Sequence, residues 1–173
     1  MEVGLLVLRV VVGAFFFGHG SQKLLGWFGG HGLSGTGGAF EAMGLRPGRA
    51  MATLAGLSEI AGGVLFATGL LTPLGAAMLI GPMTLAIAIV HWRHGPWVSE
   101  GGWEYNVVLI AVAFAVTAIG PGKYSLDRAL DIDLAGLDWA LIALGAGVLG
   151  ALVVAAAARV RAPDRAGPRP AGA

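Results

Sequence analysis

The sequence predicts an all-α, polytopic membrane protein. Two observations carry that reading. Apolar residues make up 56% of the chain and charged residues only 12%, against about 25% charge in an ordinary soluble domain, and mean hydropathy is +0.78. The apolar residues also fall into five runs close to the roughly 20 residues a helix needs to cross hydrocarbon, with Gly, Pro and Asp concentrated in the breaks between them.

The first span covers residues 3–25. It follows Glu2, carries Arg9, and has neither a basic start nor a small-residue cleavage pattern, so it reads as a retained helix rather than a signal peptide. A Gly-rich loop follows over 26–48, in which Phe40, Met43 and Leu45 suggest a short interfacial helix closed by Gly44 and Pro47. The second span is expected at 51–71, a tight turn at Thr72-Pro73, and the third span at 74–92 with a kink at Pro82. After a polar segment at 93–104, the fourth span at 103–119 ends on Gly120-Pro121-Gly122. Residues 123–137 are polar, the fifth span is 138–158, and the Pro-, Gly- and Arg-bearing tail 159–173 reads as disordered.

Charge and cysteine exclude whole classes of function. A formal net charge of +1 gives no electrostatic footprint for nucleic acid. With no cysteine, the chain has no thiolate nucleophile, disulfide exchange or cysteine-held cluster. Short loops on the cytoplasmic side of a membrane collect Lys and Arg. One face holds Lys23, Arg46, Arg49, Arg93 and the tail arginines, whereas the other holds Lys123 and Arg128. The expected topology is therefore five spans in the cell membrane, N-terminus outside and C-terminus cytoplasmic.

Four ionisable residues interrupt the first two spans: Arg9, His19, Lys23 and Glu59. A charge at the centre of a bilayer costs about 2.5–3.5 kcal/mol on insertion scales, so such residues face protein or water and mark candidate functional sites. Fourteen residues separate Arg9 from Lys23, about 40° in direction and about 21 Å along a helix, with His19 on the same side. In an antiparallel hairpin Glu59 falls between His19 and Arg9 in depth, about 6 Å from one and 9 Å from the other. Glu59 is accordingly expected to pair with one of those two. Lys23 is expected to snorkel to the headgroups. The loops after the first and third spans must share a face. That face brings together Lys23, Trp27, Phe28, all four histidines, Trp103, Glu104 and Tyr105.

Arg9, His19-Gly20, Gln22-Lys23, the run Gly26-Trp27-Phe28-Gly29-Gly30, Glu59 with Gly62-Gly63, His91, Gly101-Gly102-Trp103-Glu104-Tyr105 and the stretch 120–127 together resemble the DoxX family of bacterial and archaeal membrane proteins. The resemblance covers residues 3–127. It implies a four-helix membrane bundle over 1–127, to which this chain adds a connector and fifth transmembrane helix over 128–158 and the basic tail 159–173. It also implies association with membrane oxidoreductase systems, since the family takes its name from a subunit of an archaeal thiosulfate:quinone oxidoreductase.

The expected function is an integral membrane subunit of such a system, with a buried polar site for a quinone-like or small anionic ligand. Arg9, His19, Gln22, Glu59, His91 and Glu104 are the candidate ligand and proton residues; Lys23, Trp27, Trp103 and Tyr105 would line the mouth. Each also has a structural reading: an ion pair for Arg9 and Glu59, a hydrogen-bonded core position for the histidines, an interfacial aromatic belt for the tryptophans. No third ligand or haem-attachment motif accompanies His19 and His91, so no metal is expected and a quinone is the one cofactor considered. Electrons would then come from a soluble or membrane redox partner. The alternatives are a proton-coupled small-molecule transporter and a non-catalytic scaffold for redox enzymes.

Overall fold

The computed structural model describes residues 2–160, which contain helices and loops and no strands. In chain order the helices are α1 (Glu2–Leu25), α2 (Gly32–Ala42), α3 (Gly48–Thr68), α4 (Thr72–Ala86), α5 (Glu104–Ile119), α6 (Leu126–Ala129) and α7 (Leu137–Val160). Glu2–Leu25, Gly48–Thr68, Thr72–His94 and Leu137–Ala157 are long and apolar enough to cross a bilayer, and α5 is a shorter apolar helix. The protein is thus a polytopic helical membrane protein. Of the tail expected to be disordered at 159–173, the part from 161 onward lies outside the described residues.

α1 and α3 form the central antiparallel pair, and glycine sets their approach. A Cβ on Gly63 would stand 2.6 Å from the Gly13 carbonyl, and one on Gly20 would stand 2.6 Å from that of Gly56. With no hydrophobic drive between helices in lipid, such small-residue contacts let backbones meet and gain dispersion energy. The register that results puts Glu59 opposite Phe17. The face of α1 buried by this packing is Arg9, Val12, Gly13, Phe16, Gly20 and Ser21, a helical 3–4 spacing.

α4 runs through Pro82 rather than ending there. Proline removes the donor that would have paired with the Met78 carbonyl. The Ser58 hydroxyl donates to that carbonyl at 2.8 Å, which is how a membrane helix tolerates the loss. Beyond Ala86 the chain widens into a π turn over Ile87–His91 and tightens into a short 3-10 turn over Trp92–His94. α7 packs on α4 and α5. A Cβ on its Gly147 would meet Ile80, and Ala140, Ala143 and Ala151 are buried along it. The core between the helices is Val12, Phe16, Phe66, Leu79, Ile80 and Val116 with small alanines.

One end of the bundle is closed by Asp127. Its carboxylate accepts from the Leu71 amide at 2.6 Å, the Thr72 amide at 3.0 Å and the Thr72 hydroxyl at 2.6 Å. These are the orphan donors at the start of α4. They also hold Leu71 at φ 46, a left-handed conformation costly for a residue with a β-carbon. Gly69, at φ 63, ends α3 beside it, where a Cβ would overlap the Arg9 guanidinium.

Candidate functional site

At the other end, Lys23 and Glu59 form an ion pair. Lys23 Nζ donates to Glu59 Oε2 at 2.6 Å, with the two side chains 23% and 3% exposed. This corrects two expectations: Glu59 pairs with neither Arg9 nor His19, and Lys23 turns inward instead of snorkelling. The reason is the direction of side chains on a helix, which lean toward the N-terminus. Lys23 leans from the end of α1 into the bundle, and Glu59 leans down α3 toward that same end. Arg9 leans the opposite way, toward Glu2, and away from Glu59.

The neighbouring polar groups are fixed by backbone. Gln22 Nε2 donates to the Phe28 carbonyl at 3.2 Å, which turns Gln22 Oε1 toward His19 Nδ1 at 3.1 Å. His19 therefore donates from Nδ1. His91 Nδ1 lies 2.6 Å from the Gly101 carbonyl, and a carbonyl only accepts, so His91 donates from Nδ1 as well. In the neutral form of either ring Nε2 is then the acceptor nitrogen. Glu104 ties its own loop, accepting from the Val98 amide at 2.8 Å, so it shapes the rim of the site.

These elements enclose a cavity of about 540 Å³ between α1, α4 and α5. His19, Lys23, Glu59, His91, Tyr105 and Asn106 line it, together with a larger apolar wall that includes Val12, Phe15, Phe16, Met83 and Leu109. α1 and α5 are nearly out of contact with each other. The gap between them is flanked by exposed Val11, Phe15 and Val108, which also line the cavity, so it opens sideways at the depth of the hydrocarbon. Trp27 and Trp103 do not line it, and Trp27 is exposed in the loop after α1.

Arg9 stands apart from this cavity. It is 0% exposed and donates from Nη2 to the Tyr124 carbonyl at 2.6 Å. Its Nε and Nη1 have no hydrogen-bond partner among the described residues. The single shared site expected from Arg9, His19, Glu59 and His91 is therefore two separate polar ends, with Val12, Phe16 and Phe66 buried in the core between them.

The DoxX family model matches residues 4–92, which span α1 to the turn after α4. The chain belongs to the DoxX family. It is also 31% identical over 130 residues to "Inner membrane protein YqjF" of Escherichia coli (strain K12), covering 75% of this chain and 94% of that protein. Over 116 residues it is 31% identical to "Putative oxidoreductase CatD" of Bacillus subtilis (strain 168), covering 67% of this chain and 80% of that protein. No solved structure gives a significant match. The DoxX match contains His19, Lys23, Glu59 and His91, whereas Tyr105 and Asn106 lie beyond it, on α5.

Sequence reasoning passed over Asn106, although the signal was present: an amide side chain at the start of a run that is otherwise apolar apart from Thr117. It also passed over the π turn, which no sequence period announces. That turn carries Ile89, Val90 and His91, all of which line the cavity.

Proposed function

We propose that this DoxX protein is the membrane subunit of an oxidoreductase system and holds a quinone-like ring in the cavity between α1, α4 and α5. The observation that carries the reading is a cavity of about 540 Å³ with an apolar wall and hydrogen-bonding side chains contributed by α1, α3, α5 and the turn after α4. That is the size and make-up of a small-molecule site, and it suits a flat apolar ring with polar oxygens. The sideways opening between α1 and α5 suits a ligand that arrives from the bilayer with an apolar tail. The name of the CatD relative agrees with an oxidoreductase setting.

Within the site, Lys23 and Tyr105 are donors, Nε2 of His19 and His91 are acceptors, and Glu59 can exchange a proton with a ring oxygen. Electrons would come from a partner oxidoreductase. A neutral ring is favoured over a small anion because the Lys23 charge is already matched by Glu59. Ligand holding is favoured over transport because the two polar ends are divided by packed Val12, Phe16 and Phe66 rather than joined by a polar path.

The test is a titration of the protein in nanodiscs with ubiquinone-1 and menadione, read by quenching of its tryptophans. Saturable binding is expected, weakened about tenfold in His91→Ala or Glu59→Gln, the worth of one lost hydrogen bond. A flat titration of the wild type, or variants that bind as it does, would refute the proposal.

A further inference from the structure

On that reading of the cavity, we infer that Asn106 is the residue that selects a ring with two opposed oxygens, gripping the one remote from the Lys23–Glu59 pair. Asn106 is only 7% exposed yet lines the cavity. It stands on α5, across the cavity from the helices that carry Lys23 and Glu59. Its one contact with a polar atom is Nδ2 to Met83 Sδ at 3.3 Å, and a thioether is a weak acceptor. One N–H and the whole of Oδ1 are left without a partner among the described residues.

Two other polar side chains of α5, Thr117 and Glu104, make the contrast. Thr117 donates to the Ala113 carbonyl at 2.9 Å and Glu104 accepts from the Val98 amide. The free amide atoms of Asn106 belong to a side chain that lines the cavity, so they are open to a ligand's hydrogen bonds. An amide suits the proposed ligand in a way that a charged group does not. Its N–H donates to a ring carbonyl and its oxygen accepts from a ring hydroxyl, so the oxidised and reduced ligand are both held with no proton moved to or from the side chain. Discrimination follows because a ring lacking the second oxygen leaves the amide unsatisfied.

The test compares menadione, with two opposed carbonyls, against 2-methyl-1-tetralone, a fused ring of similar size with one. Each is titrated against wild type and Asn106→Leu in nanodiscs. Wild type is expected to bind menadione about tenfold tighter, and in Asn106→Leu that gap closes through a loss for menadione alone. Equal menadione affinity in the two proteins overturns the inference and leaves the cavity reading standing. An equal loss of both ligands in Asn106→Leu marks a packing role and overturns it too. Failure of wild type to bind either ligand removes the cavity reading itself and the inference with it.

Discussion

The Lys23–Glu59 pair makes an asymmetric prediction. Lys23→Met leaves a carboxylate whose side chain is 3% exposed without its partner, and breaking a buried pair this way costs about 3–5 kcal/mol. Glu59→Leu leaves an ammonium on a four-carbon stem that is already 23% exposed. That ammonium can swing out to the headgroups, so the loss falls to about 1–2 kcal/mol. The double variant Lys23→Met/Glu59→Leu removes both charges together and should lie within about 1 kcal/mol of wild type, as apolar replacements of buried pairs do. The four proteins form a double-mutant cycle with a coupling of about 4–7 kcal/mol, the two single losses set against a near-neutral double variant. The assay is reversible unfolding in mixed micelles by SDS titration, followed by tryptophan fluorescence. Losses that simply add would mean that the pair is solvated, and a greater loss from Glu59→Leu than from Lys23→Met would mean that the ammonium rather than the carboxylate is the trapped charge; either would refute the reasoning.

Three further predictions rest on separate parts of the fold. Ser58→Ala should cost about 1–3 kcal/mol by orphaning the Met78 carbonyl; restoring a backbone donor with Pro82→Ala in the same chain should recover much of it, measured by the same unfolding assay. Asp127→Asn, which weakens the charge-assisted bonds to Leu71 and Thr72, should cost about 1–3 kcal/mol, and a variant as stable as wild type would remove Asp127 as the lock on the α3–α4 turn. Because the chain has no cysteine, Ser99→Cys and Leu130→Cys report orientation directly: with the Lys23 end cytoplasmic, an impermeant maleimide added to whole cells labels the cysteine at 130 and spares the one at 99, and the reverse pattern inverts the proposed topology.

The spans were legible in the sequence because crossing a bilayer imposes a length and an apolar composition on every helix. The second span expected at 51–71 is α3 at Gly48–Thr68, and the fifth expected at 138–158 is α7 at Leu137–Val160. α2 was placed too late, on Phe40, Met43 and Leu45, because its first turns are Gly- and Ser-rich and carry no apolar period; it begins at Gly32. The buried ionisable residues were recognised from their cost in hydrocarbon, but their partners were not. Depth along the membrane normal ranked His19 and Arg9 ahead of Lys23 as partners for Glu59, whereas the lean of side chains toward each helix N-terminus decides in favour of Lys23. The same lean carries Arg9 to the Tyr124 carbonyl at the opposite end. Pro82 was expected to kink its helix, and the hydroxyl that compensates for it sits 24 positions earlier on another helix, at Ser58, beyond the reach of any local pattern.

Photoaffinity labelling with an azido-substituted quinone, followed by peptide mapping of the protein in its native membrane, tests the central claim most directly. Adducts are predicted on the cavity wall, on residues of α1 from Val11 to Lys23, of the turn at His91, and of α5 from Tyr105 to Val112, suppressed by excess unlabelled quinone. Adducts confined to the separate groove that Leu54 of α3, Met78 of α4 and Gly150 of α7 line, or spread over all the spans without competition, would contradict the account.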